Sequence, residues 1–73
     1  GEIFARAIRN SANAVILAHN HPSGEAAESP EDVNLTRAVI EAGRLLDIRV
    51  HDHIIIGRED FSSIKQNHPA LWV

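Results

Sequence analysis

Four side chains have types and spacing that could do chemistry together: His19, His21, Ser29 and Asp32, in the stretch from His19 to Asp32. Just before them lies an apolar run, Ala14-Val15-Ile16-Leu17-Ala18, strand-like in length and content. A strand sends alternate side chains to one face, so His19 and His21 point together if the extended backbone reaches residue 21. Two imidazoles at a strand end, with a carboxylate one loop later, make a divalent-metal site. Zinc would take His19, His21 and Asp32 at roughly 2.0–2.2 Å each and leave a fourth position for water. That open position separates a catalytic site from a structural one.

The elements that must position these groups follow in chain order. Residues 2–10 read as a short helix, with Ile3/Ala7 and Phe4/Ile8 as i, i+4 pairs and Glu2, Arg6 and Arg9 toward water. Asn10, Ser11 and Asn13 end it. Residues 14–18 are apolar throughout, as in a strand covered on both faces. Residues 20–29 form a polar loop. A helix is predicted from about Pro30 to Leu46, with Leu35, Ala38, Val39, Ala42, Leu45 and Leu46 as its buried stripe. Gly43 costs that helix about 1 kcal/mol relative to alanine, a cost consistent with close packing at this point. Residues 48–56 are rich in β-branched types and read as a strand. A turn over 57–60 leads to a short antiparallel strand, 61–64, and an irregular tail anchored by Trp72. The strand–helix–strand unit has the length of a right-handed crossover between parallel strands. In open α/β sheets, sites form at the carboxyl ends of such strands, which is where His19 and His21 fall.

A plainer reading competes at one point. Ser29-Pro30-Glu31-Asp32 resembles a capping box, and a helix cap alone would account for Ser29 and Asp32. The two roles are compatible, because a cap can fix the helix start while Asp32 turns toward a metal. His51 and His53 form a second His-x-His inside a predicted strand, on one face with Ile55. No carboxylate follows at a suitable spacing, so they read as sheet-face or partner-facing residues. Asp52, on the other face, is a candidate to hydrogen-bond a ligating histidine. The string His19-Asn20-His21 matches HNH nucleases in letters only, since theirs are spread over a longer segment.

Composition bounds the rest. Seventy-three residues allow one domain, and 44% hydrophobic content is that of a globular chain. Cores of this size supply about 3–5 kcal/mol, so a metal or a partner is a usual addition. There is no cysteine, which excludes disulfides and thiolate metal sites. No apolar run reaches the roughly 18–20 residues of a membrane span and no leader pattern is present, so a soluble, cytoplasmic chain is expected. A net charge of −3 argues against a broad phosphate-binding surface. The chain opens on Gly1 and has no methionine, as a fragment of a larger domain would.

His19-x-His21, seven residues, then Ser29-x-x-Asp32 resembles the core of the JAMM (MPN+/JAB) metalloprotease motif. The text around it, Ile16-Leu17-Ala18-His19-Asn20-His21-Pro22-Ser23-Gly24 and Asp52-His53-Ile54-Ile55-Ile56-Gly57, is similar more narrowly to the RadC family. The resemblance covers nearly the whole chain. It implies that residues 1–73 are the C-terminal portion of a RadC-like JAB/MPN domain. The implied fold is cytidine deaminase-like α/β, a partial three-layer arrangement with a mixed sheet in the order helix, strand, helix, strand, strand. It also implies zinc on His19, His21 and Asp32, with Ser29 hydrogen-bonding the reacting carbonyl or its oxyanion. The catalytic glutamate of JAMM enzymes lies well upstream on an earlier strand, and Glu2, inside the first predicted helix, does not match it. The chain would then begin after that base, with the first strands of the domain missing and a sheet edge unpaired. The implied function is zinc-dependent hydrolysis of peptide or isopeptide bonds, with a link to DNA repair in the family name alone. The alternatives are a non-catalytic interaction module pairing through the open sheet edge, and a DNA-associated role served by Arg37, Arg44, Arg49 and Arg58. The expected partners are a peptide or protein substrate and a second copy at that edge, with no membrane.

Overall fold

A computed structural model describes residues 4–21 and 23–73. In order, the elements are β1 (Phe4–Ser11), β2 (Ala14–Asn20), α1 (Pro30–Leu46), β3 (Arg49–Ile56), β4 (Phe61–Ser63), α2 (Ile64–Asn67) and a 3-10 turn (Pro69–Trp72). The sheet order is β1-β2-β3-β4. The β2/β3 pair is parallel and joined by α1, and the two outer pairs are antiparallel. This is the α/β crossover expected from the sequence, with a mixed sheet.

The first element differs from expectation. Residues 4–11 form a strand, and the Glu2 and Ile3 parts of the predicted helix lie outside the described residues. A helix of nine residues is below the roughly 12–15 at which helices hold by themselves. A two-residue turn at Ala12-Asn13 instead lets β1 run back along β2, pairing Ser11 with Ala14 and Phe4 with Asn20. That pairing satisfies the outer N–H and C=O groups of β2. It also moves the free sheet edge outward, from β2 to β1.

Helix α1 has the predicted bounds but not the predicted buried stripe. Its buried residues are Asp32, Thr36, Ile40 and Gly43, spaced by four, four and three, while Leu45 is 88% and Leu46 69% exposed. The face toward the sheet is chosen by what the sheet offers there, two buried histidines, so polar residues turn inward and leucines outward. Gly43 permits the close approach its position suggests: a Cβ would lie 2.5 Å from the Ile48 carbonyl oxygen. The carbonyl of Gly43 accepts from Ile48 N–H at 2.7 Å and from Asp47, whose φ of 57° reverses the chain into β3. The main core is Leu17, Ile40, Val50, Ile55 and Ile64, each buried.

In β3 the register slips against β2, Val15 pairing with Val50 and Ile16 with Asp52. His51 is the extra residue of this bulge, which flips the alternation. His53 is therefore fully buried with Val50 and Ile55, while His51 is half-buried and does not share their face as its spacing suggests. The tail is more regular than expected, forming α2 and the 3-10 turn. Ser63 Oγ caps α2 by accepting from Gln66 N–H, and Trp72 anchors the end by donating Nε1–H to the Val50 carbonyl at 2.7 Å. Among the described residues, no helix is long and apolar enough to cross a membrane.

Candidate metal centre

The carboxyl end of β2 sets the first two groups. His21 N–H donates to the Ile56 carbonyl at 3.2 Å, so the backbone stays extended past the end of the strand and His19 and His21 share a side. The chain then turns back, with Gly24 N–H donating to the His21 carbonyl at 3.0 Å. Gly24 has φ of +83°, where only glycine is unstrained. Its carbonyl accepts from Arg58 N–H at 2.8 Å, which pins the loop to the segment after β3.

The loop delivers Ser29 to the α1 N-terminus, where the predicted capping box is present. Asp32 N–H donates to Ser29 Oγ at 3.2 Å, and Asp32 Oδ2 accepts from Ser29 N–H at 2.8 Å and from Ser29 Oγ–H at 2.9 Å. Asp32 also reaches both histidines: Oδ2 lies 2.7 Å from His21 Nε2 and Oδ1 lies 2.9 Å from His19 Nδ1. One candidate donor atom from each of His19, His21 and Asp32 falls within 4.8 Å of the others. The cap and the cluster therefore coexist in one aspartate.

His21 Nδ1 lies 2.9 Å from the Glu25 carbonyl, which can only accept, so Nδ1 carries a hydrogen. In a neutral ring, Nε2 is then a bare lone pair facing a carboxylate at 2.7 Å. Two lone pairs at that distance repel unless something positive lies between them, either a second proton on His21 or a metal cation. His19 carries the same message differently. Its Nδ1 is close to Asp32 Oδ1, but the N–H direction misses the oxygen, and among the described residues neither ring nitrogen has a hydrogen-bond partner although the ring is buried. Short distances with poor hydrogen-bond angles are what groups converging on a shared cation show. Burial alone would raise the Asp32 carboxyl, but bonds from the Ser29 backbone and hydroxyl and from His21 outweigh it and hold it below the ordinary carboxylate value. A carboxylate and two imidazoles are a donor set that zinc accepts.

Behind His19 stands a pair that the spacing of residues did not reveal. His53 is fully buried and its ring lies 5.8 Å from that of His19, with 20° between the planes. Thr36 Oγ1 donates its one hydrogen to the Asp32 carbonyl at 2.7 Å and accepts from His53 Nδ1–H at 2.6 Å. Burial pushes His53 below its ordinary value, with the neighbouring His19 adding to the effect, so the ring is neutral. The available signal was Thr36, one helical turn after Asp32, facing a histidine in the adjacent strand. Asp52 does not bond a histidine ring of the cluster. It accepts from Ser63 Oγ–H, from Lys65 N–H and from the His53 backbone, and so holds the start of α2. Glu28 is tied away from the cluster by His68 and Asn67. Among the described residues no second carboxylate joins His19, His21 and Asp32.

Comparison with known proteins gives one family. The family described as a RadC-like JAB domain matches residues 1–69. A UPF0758 protein from Chloroflexus aggregans is 54% identical over 66 residues, covering 90% of this chain and 29% of that protein. One from Desulforudis audaxviator is 56% identical over 64 residues, covering 88% and 28%. One from Roseiflexus castenholzii is 53% identical over 71 residues, covering 97% and 30%. The chain thus spans less than a third of the length of the curated relatives it matches.

Proposed function

This chain belongs to the RadC family of JAB domains, and from that premise we propose that it carries the metal half of a zinc-dependent amide hydrolase site. His19, His21 and Asp32 are the ligands in this reading. The observation that carries it is the convergence of His21 Nε2, 2.7 Å from Oδ2, and His19 Nδ1, 2.9 Å from Oδ1, on the one carboxylate of Asp32. Bound there, zinc would supply Lewis acidity, drawing the pKa of water toward about 7 and polarising a carbonyl. The rest falls to the protein. The Glu25 carbonyl fixes the tautomer and tilt of His21. The capping box holds the Asp32 carboxylate at the mouth of the crossover. Thr36 and His53 fill the space behind His19 with a neutral, hydrogen-bonded ring. Ser29 would serve the reacting carbonyl by turning its hydroxyl hydrogen from Asp32 toward the substrate.

General-base work needs a further carboxylate, and the described residues provide none at the cluster. The chain is accordingly expected to bind zinc yet turn over peptide or isopeptide bonds very slowly. The test is incubation of the zinc-loaded protein with linear and isopeptide-linked substrates, read by mass spectrometry with and without chelator. Slow, chelator-sensitive cleavage that disappears in His21→Ala is the expected result. Rapid cleavage would refute the need for a further base, and zinc binding that leaves every amide intact even in a full-length relative would refute hydrolysis. One observation favours the second reading, an interaction module: Ser29 Oγ both accepts from and donates to Asp32, so the hydroxyl is engaged in the helix cap.

A further inference from the structure

Beside His21, at the carboxyl ends of β2 and β3, is an open cleft of about 230 Å³ lined by Asn20, His21, Gly24, Ile56, Gly57 and Arg58. Two features make Arg58 its distinguishing group. Its guanidinium is unpaired: among the described residues it has no ion pair and no side-chain hydrogen bond, although the chain carries more acids than bases. It is also held in place. Arg58 N–H bonds the Gly24 carbonyl, and the side chain lies over Gly24 so closely that a Cβ there would come within 3.3 Å of Nε and of Nη2. The preceding Gly57 is packed more tightly still, since a Cβ would meet Asp60 Oδ1 and the Gly24 carbonyl oxygen at 2.7 Å and Ala26 N at 2.9 Å. An exposed arginine usually disperses its charge over many rotamers. This one is seated on backbone and lines the same cleft as the candidate metal ligand His21.

We infer that Arg58 is a specificity residue that binds a carboxylate of the peptide substrate, so that the preferred substrate carries an acidic group close to the bond cleaved. A planar guanidinium offers paired donors that match the two oxygens of a carboxylate, which lysine cannot reproduce. The exposed amide of Asn20 lies on the same cleft wall and can hydrogen-bond the adjoining peptide unit. The carboxylate can come from a chain end or from an Asp or Glu side chain, and the chemistry is shared. The catalytic meaning rests on the hydrolase reading above, but the binding does not.

The experiment is a nuclear magnetic resonance titration of the protein, following the Arg58 Nε–Hε resonance and the amides of residues 20–24 and 56–58. Three probes are compared: N-acetyl-Ala-Ala with a free carboxylate, the same peptide as its C-terminal amide, and N-acetyl-Ala-Glu amide. The expected result is that one or both carboxylate probes bind about tenfold more tightly than the neutral amide, the stronger naming the source. The preference should vanish in Arg58→Gln and be reduced in Arg58→Lys, with both variants keeping the wild-type spectrum elsewhere. Equal affinity for all three probes, or a preference that survives Arg58→Gln, overturns the assignment. The titration is repeated with zinc and with chelator. A carboxylate preference without zinc binding would refute the metal reading alone, and zinc binding without the preference would refute this inference alone.

Discussion

Asp32→Asn separates the two jobs that Asp32 performs. The amide oxygen can still accept from Ser29 N–H and Ser29 Oγ–H, which bond Oδ2 at 2.8 and 2.9 Å, so the cap survives. What is lost is the charge. Removing a negative charge from the first turn of α1 costs about 0.3–1 kcal/mol through the helix dipole. Weakening the contact to His21 costs about 1 kcal/mol more. The metal-free variant should therefore be destabilised by about 1–2 kcal/mol, which for a domain of this size is a fall in Tm of roughly 4–16 °C. Zinc affinity should fall much further. Changing a group that merely orients a ligand costs 10–100-fold, so loss of the one anionic ligand is expected to cost at least about 100-fold, or about 2.7 kcal/mol. Urea unfolding of the metal-free proteins measures the first quantity and calorimetric zinc titration the second. Unchanged zinc affinity in a folded Asp32→Asn would refute the metal reading and leave Asp32 as a helix cap only. Wholesale unfolding of the variant would refute the separation of roles.

Three further outcomes follow from the same geometry. Gly43→Ala gains about 1 kcal/mol of helix propensity but drives a Cβ to 2.5 Å from the Ile48 carbonyl oxygen, so overpacking of about 1–3 kcal/mol should leave it less stable than wild type by thermal melting; a stabilised variant would contradict the close approach. Thr36→Val keeps the shape but leaves the His53 Nδ1–H and the Asp32 carbonyl without their shared partner, and should cost about 1–3 kcal/mol in chemical denaturation; a neutral effect would show that the pair does not bond. Burial raises the Glu28 carboxyl, but its own backbone, His68 and Asn67 outweigh that and hold it below its ordinary value. Its contribution to stability is therefore complete above the unfolded carboxylate pKa of about 4.3 and is lost as pH falls through the lower folded value. Because Glu28 is partly open to water the contribution is at most about 1 kcal/mol, and Glu28→Gln should flatten the stability profile below the unfolded carboxylate pKa of about 4.3; an unaltered profile would contradict it.

The crossover and the candidate cluster were legible because their signals are local. Ser29-Pro30 marks the start of α1, the β-branched run marks β3, and His-x-His at the end of an apolar strand places two imidazoles together by parity alone. The parts that were not legible depend on partners distant in sequence. Leu45 and Leu46 looked like core because apolar stripes usually face inward, but here α1 turns Asp32 and Thr36 to the sheet to meet His19 and His53. His53 was hidden by the bulge at His51, since one extra residue reverses every later side chain and no composition cue announces it. Residues 4–11 carry an ambiguous pattern, and pairing along β2 decides it.

The central claim is that His19, His21 and Asp32 hold one metal ion, and zinc titration of the wild-type chain at neutral pH tests it most directly. The account predicts one equivalent bound, with affinity sharply weakened in His19→Ala and in His21→Ala. No binding, or one equivalent bound undiminished in His19→Ala and His21→Ala, would contradict it.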